Sequence, residues 1–365
     1  MPRSCPLLMA ILAALGAPPA TRALEPAGGM TPESRRAVDQ GLAFLEKTQN
    51  RDGSWGESNR VGKTAVICMA FMAGGSSLRR GPHAKTIEKG LEYILSHGER
   101  RRGHLTDETN NWADVHNHGY ALLFLALLCG MEPNLAREER IRDLMDQAIR
   151  RSLASQARNG GWGYGIANPG LNGFEDEGSC SVTQIQALRA CLAVGIAVPK
   201  EPIDRAVEYL RKCRHPSGGF IYSLSQQTVG IAGDTSKPGF AITAAALSVL
   251  NSSGMHRGPM VDEGLTYLRQ FCPGEQLEQS FFYYGHFYAA QVMMNAGGKA
   301  WAEYYPVVRE RLLRLQGGDG AWQKTRCTAD PWEMANEMYG IPHLSTAFAL
   351  IVLQAPQRCL PILTE

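Results

Sequence analysis

The feature that most constrains this chain is a short frame, Gln-x-x-x-Gly-x-Trp, which occurs at Gln49 to Trp55, Gln156 to Trp162 and Gln316 to Trp322. A fourth, relaxed copy places Arg214, Gly218 and Phe220 at the same three positions. A glycine here can take positive φ and end a helix, and a bulky indole can pin the turn that follows onto a neighbour. A staple at each helix junction is what a repeat architecture needs, so the frame predicts an array of helical hairpins.

A second pattern, an acid-led tetrad, supports this. Asp39-Gln40-Gly41-Leu42 is echoed at Glu88-Lys89-Gly90-Leu91, Asp146-Gln147-Ala148-Ile149, Asp204-Arg205-Ala206-Val207 and Asp262-Glu263-Gly264-Leu265, with acidic positions 49, 58, 58 and 58 residues apart. The first helix starts at Thr31-Pro32-Glu33, a capping threonine followed by proline, and carries Val38, Leu42 and Leu45 as one apolar stripe. Each tetrad is followed by a more apolar helix, and the apolar helices are expected near Thr64 to Ala73, Gly119 to Cys129, Val182 to Val194, Phe240 to Leu250, Tyr284 to Asn295 and His343 to Gln354. Stretches such as Ala121 to Leu128 are apolar on every side and call for full enclosure. Six hairpins, each with a polar helix outside and an apolar helix inside, predict an all-α double ring, an α/α toroid with a central cavity. Around Gly103 and at Cys272-Pro273-Gly274-Glu275-Gln276 the frame is degraded.

A chain of 365 residues, 44% hydrophobic, can bury a large core, and a repeat lets it stay one domain. With 37 basic against 35 acidic residues and no basic stripe, nothing points to nucleic acid. Arg3, the apolar run Leu7 to Ala17 and the small residues up to Ala23 read as a secretory leader over residues 1–23, too short to span a membrane. The expected mature chain, residues 24–365, is exported to the periplasm or beyond and has no membrane span. It holds eight cysteines, of which Cys213 and Cys272 are the pair to consider for a bridge, because both close outer helices of successive repeats.

The frames, the period and the inner-helix pattern resemble the prenyltransferase and squalene-oxidase repeat family, from Thr31 to the C-terminus. The end of the chain is similar to exported bacterial members without an established reaction, through Tyr283 to Gln291, Trp301 with Tyr305-Pro306, Ser345 to Leu350 and Leu360-Pro361-Ile362. The resemblance implies the toroid of squalene-hopene cyclases and protein prenyltransferase β subunits, and an isoprenoid or other apolar ligand. The family's cyclase motif, Asp-x-Asp-Asp, is absent; the nearest acids are Glu175-Asp176-Glu177 and Asp234, and Lys237 would keep Asp234 ionised. The prenyltransferase zinc set needs Asp-x-Cys with a later histidine, and only His343 resembles part of it. A complement-like thioester needs Cys-Gly-Glu-Gln, which Pro273 interrupts. Polysaccharide lysis shares the toroidal shape but lacks a distinctive arginine and carboxylate pairing here.

Residues just before the inner helices are expected to converge on one mouth. The candidate acid, base or ligand groups there are Asp114, His118, Asp234, His286 and His343. Asp114-Val115-His116-Asn117-His118, if extended, would put three metal ligands on one side; alternatively, Asp114 and Asn117 only cap a helix starting near Gly119. The run Phe281 to Tyr284 with Phe287 and Tyr288 either lines an apolar pocket or packs a junction. No motif assigns a cofactor. An enzyme or ligand-binding toroid and a noncatalytic protein-binding scaffold therefore both stand.

Overall fold

The computed structural model describes residues 29–107, 114–132, 134–166, 175–225, 229–230, 233–234, 236–272, 279–323 and 342–363. Twelve helices fill these segments: α1 (Pro32–Lys47), α2 (Arg60–Ala73), α3 (Ala84–Arg100), α4 (Asp114–Leu128), α5 (Leu135–Ala154), α6 (Gly178–Ala193), α7 (Lys200–Lys212), α8 (Phe240–Ser252), α9 (Pro259–Arg269), α10 (Phe282–Ala296), α11 (Gly298–Leu315) and α12 (His343–Gln354). A two-residue antiparallel ribbon, Val229–Gly230 with Gly233–Asp234, precedes α8. The leader, the Pro273 to Gln276 segment and Cys327 lie outside the described residues.

The even-numbered helices form an inner ring, in which α2, α4, α6, α8, α10 and α12 each pack on the next and α12 returns to α2. The odd-numbered helices form the outer ring, each laid on the inner helix before it, with α1 on α12. The fold is an α/α toroid. Burial follows the sequence contrast: every residue of α4 is buried, whereas α1 buries one stripe that includes Val38, Leu42 and Leu45. No helix among the described residues is long and apolar enough to cross a membrane.

The recurring frame is a three-way joint. Its indole N–H donates back to the preceding outer helix, from Trp55 to the Leu45 carbonyl (2.7 Å), Trp162 to Ser152 (2.7 Å) and Trp322 to Leu312 (2.8 Å). The backbone N–H of the aromatic position donates to a hydroxyl near the head of the following inner helix: Thr64, Ser181, Thr243 for Phe220, and Thr346. Its glutamine reaches the next outer helix, where Gln49 donates to Thr86, Gln156 to Pro202 and Gln316 to Ala37. In the relaxed copy Arg214 makes the same reach as an ion pair with Glu263.

The two sequence patterns meet at this joint. Gly53, Gly160, Gly218 and Gly320 all have φ near +90°, and a Cβ on each would stand 2.3–2.7 Å from the carbonyl oxygen of Lys89, Arg205, Glu263 or Gln40, the second residue of an acid-led tetrad. Gly103 repeats the arrangement against Gln147, so a joint persists where glutamine and tryptophan are gone. The last frame closes the ring on the first tetrad, where Gly320 meets Gln40.

Several inner helices begin earlier than the sequence suggests, α4 at Asp114 rather than Gly119 and α6 at Gly178 rather than Val182. The polar heads and glycines read as loop, but they mark close helix crossings: a Cβ on Gly119 would lie 2.4 Å from Thr183, and one on Gly178 2.4 Å from Ile242. Asp114 to His118 is thus helical and cannot present alternate residues on one side. The bridge between Cys213 and Cys272 is not formed; both are free and buried, Cys272 with its thiol on the Leu268 carbonyl of its own turn.

Candidate functional site

The ring axis is filled at mid-height. Tyr120 of α4 meets Tyr288 of α10 (hydroxyls 3.4 Å apart), Gln186 of α6 donates to Gln291 of α10 (2.8 Å), and Ser248 of α8 donates to the same Gln291 oxygen. Phe348 of α12 packs on Tyr120 and Phe287. Several of these groups come from helices that do not adjoin in the ring, so they span its width. At the rim lies a cavity of about 230 Å³ between the heads of α6, α8 and α10, walled mainly by Tyr222, Pro238, Phe240, Ile242, Phe281 and Tyr284. The aromatic run therefore divides: Phe281 and Tyr284 face the cavity, while Phe282 packs on His286 and Phe287 on Phe348.

The candidate residues from sequence are not gathered around a central well. His118 accepts from the Leu105 backbone N–H (3.2 Å) and donates to the Ala148 carbonyl of outer helix α5 (3.1 Å). It thus takes the place that Thr64, Ser181, Thr243 and Thr346 hold in the other joints. His286, fifth residue of α10, occupies the same register and turns outward to the Tyr304 hydroxyl of α11 (3.0 Å). Both histidines stand in repeats whose frame has lost its tryptophan. His343 heads α12 and packs against Phe44 of α1, with ring centroids 5.8 Å apart. All three sit at inner-helix heads, yet each leans on an outer helix.

Burial pushes the His118 imidazole down to about 4, and burial with Lys63 nearby also lowers His343, so both are neutral at ordinary pH. Asp114 accepts from His104 Nε2 (2.7 Å) and from the Ile166 backbone N–H (3.0 Å), a buried pair whose histidine lies outside the sequence candidates. Its spacing, ten residues before Asp114 across a loop, carries no signal. Asp234 lines the cavity but is held below the usual carboxylate range by hydrogen bonds from Ser236 and by Lys237.

The remaining polar cluster sits where α4 crosses α6. Glu177 caps α6, accepting from the backbone N–H groups of Ser179 and Cys180 (both 2.9 Å) and from the Ser179 hydroxyl (2.5 Å). It borders the helix directly, whereas the sequence placed it several residues away. Burial raises its carboxyl, against those hydrogen bonds. His116 reaches across with Nε2 3.7 Å from the Cys180 sulfur and 3.3 Å from the Ser179 oxygen, while Nδ1 faces Thr183 Oγ1 (3.2 Å). Burial lowers this imidazole to about 4 and pushes the Cys180 thiol well up. Asp176, the neighbouring acid, is held ionised by Ser225, Leu224, Tyr209 and Asn159 and ties down the turn after α7.

The class these features define is an α/α toroid, a closed double ring of helices. Among solved structures, the α-1,6-mannanase GH76A from Salegentibacter sp. superposes with a TM-score of 0.64 at 9% identity, covering 89% of this chain and 99% of that one. The type II terpene cyclase MstE from Scytonema, holding geranylgeranyl dihydroxybenzoate, superposes with a TM-score of 0.57 at 14% identity over 90% and 98% of the two chains. In sequence, drimenyl diphosphate synthase from Streptomyces showdoensis is 26% identical over 186 residues, 51% of this chain. The match spans about a third of that synthase, 32% of its length. No family model matches the chain.

Proposed function

We propose that the protein is exported by the leader at residues 1–23 and binds an isoprenoid or comparably apolar ligand at the mouth of its ring. The observation that carries this reading is the rim cavity, whose walls are chiefly aromatic and aliphatic with Ser179, Asp234, Lys237 and Gln279 at their edge. Small-molecule sites usually enclose about 300–1,000 Å³. At about 230 Å³ the cavity accepts the end of a long ligand, and the Tyr120 and Tyr288 layer stops deeper entry. The solved cyclase with a geranylgeranyl compound and the partial likeness to drimenyl diphosphate synthase support an isoprenoid over other apolar ligands.

Binding is favoured over cyclisation because no acid at the mouth, among the described residues, is arranged to protonate an alkene. Asp234 is stabilised as a carboxylate, and Glu177 is turned to its helix cap. A glycosidase like the mannanase is disfavoured, since a working pair needs two free carboxyls and Asp176 is saturated by donors.

The test is binding of farnesol, geranylgeraniol and squalene to the mature chain, followed by tryptophan fluorescence, with mass spectrometry of lipids retained on purification. Ser280 stands exposed on the rim, so Ser280→Trp should block the entrance, weakening binding at least about tenfold with an unchanged melting temperature. No binding by the unaltered protein, or equal binding by the variant, would overturn the reading. A chain recovered from the exported fraction with Met1 intact would overturn the leader. The filled axis supports a second reading, a noncatalytic scaffold for a protein partner. An empty ring with a stoichiometric copurifying protein would replace the first reading by this one.

A further inference from the structure

His116, Glu177 and Cys180 bring one nitrogen, one oxygen and one sulfur ligand atom within 4.8 Å of one another, and all three residues are buried. They come from two inner helices held in register by the close crossing at Gly119. The cluster is unlike the sets sought in the sequence: it uses neither an Asp-x-Cys nor His343, and of the Asp114, His116 and His118 group it keeps one member.

The hydrogen bonds around it leave electron pairs without protons to meet them. Thr183 gives its hydroxyl hydrogen to the Ser179 carbonyl (2.7 Å), so its oxygen accepts from His116 and the ring proton sits on Nδ1. That frees the Nε2 lone pair. The Ser179 hydroxyl facing Nε2 has already given its hydrogen to Glu177 (2.5 Å). A nitrogen lone pair, a serine oxygen and a carboxylate therefore converge on one point with only the Cys180 thiol hydrogen among them, in a buried place.

We propose that this cluster is a binding site for Zn²⁺ or a similar borderline-soft divalent cation, with His116 Nε2, Glu177 and Cys180 Sγ as ligands. Tetrahedral zinc with bonds of about 2.0 Å to nitrogen and about 2.3 Å to sulfur sets those two atoms about 3.5 Å apart. They stand at 3.7 Å here. Binding displaces the Cys180 proton to solvent, and thiolate plus carboxylate then balance the ion, so the buried complex carries no net charge. Thr183 on Nδ1 is the outer partner that holds a ligating imidazole in orientation. Ser179 lies both beside Nε2 and in the cavity wall, so the fourth coordination position faces the rim cavity. The inference is independent of the apolar-ligand reading: either can fail alone.

The experiment is to unfold and refold the full mature chain with Zn²⁺ or Co²⁺, remove free metal by gel filtration, and measure bound metal and the Co²⁺ spectrum. The expected result is one equivalent per chain, a thiolate-to-Co²⁺ charge-transfer band, and a melting temperature raised relative to chelator-treated protein. Cys180→Ser should abolish the band, and His116→Asn or Glu177→Gln should weaken retention at least about tenfold. Cys191→Ser, a buried thiol elsewhere on α6, should change none of these. Refolded protein with native circular dichroism but less than a tenth of an equivalent of metal would overturn the proposal. A band that survives in Cys180→Ser would overturn it as well.

Discussion

The joints between repeats and the crossing of α4 with α6 use similar residues to opposite ends. Each strict joint makes the same contacts: indole to preceding helix, backbone N–H to a hydroxyl on the inner helix, glutamine to the next outer helix. The α4 and α6 crossing occurs once. No other group of histidine, acid and thiol gathers in this way among the described residues, and its lone pairs outnumber the donors that face them. Groups that recur with the same partners are explained by holding the ring together; groups that occur once and are incompletely matched are where a ligand is to be sought. His118 and His286 belong to the first kind and His116 to the second, which their residue type alone does not reveal.

The largest expected effect is at a joint. Trp162→Ala removes a fully buried indole and its hydrogen bond to Ser152, and should cost about 3–5 kcal/mol by urea or thermal unfolding. An unchanged midpoint would show that the joint does not lock the repeats, and the comparison would break. Next comes pH. In metal-free protein His116 and His118 remain neutral down to about 4, while in the unfolded chain they titrate near 6.5. Between those values the unfolded state binds more protons, so stability is present above pH 6.5 and is lost as pH falls toward 4. With both histidines contributing, the steepest loss is roughly 2–3 kcal/mol per pH unit. A melting temperature flat from pH 7 to 4.5 would contradict their burial as neutral rings.

A smaller loss should separate the two histidines. His118→Ala strands the buried Leu105 N–H and removes the imidazole's bond to the Ala148 carbonyl, and should cost about 1–3 kcal/mol without altering metal retention. If it abolished retention, the division between joint and site would be wrong. The smallest effect is expected at Asp234, a partly exposed carboxylate bonded to its own loop. Asp234→Asn should move the melting temperature no further than the scatter between replicate measurements. A loss several times larger would assign this rim residue a structural role that its exposure and local bonds do not explain.

The sequence by itself determined the double ring. A glycine needing positive φ, an indole needing burial and an acid-led tetrad at near-constant spacing are local demands, and few folds meet them at once. The all-apolar inner helices were legible for the same reason, since enclosure is written in composition. Their starting points were not legible, because Gly119 and Gly178 look like loop until the helix packed against each is known. Nor could spacing show that the second residue of each tetrad receives the previous frame's glycine, a contact made across more than thirty residues. The central cavity expected from the ring is filled by Tyr120, Tyr288, Gln186 and Gln291, because side chains from non-adjacent inner helices are long enough to meet across the axis. Only the tertiary structure decided which histidines matter. His116 and Cys180 are 64 residues apart, and a shortage of donors around a lone pair is a property of what surrounds it, not of the residue that carries it.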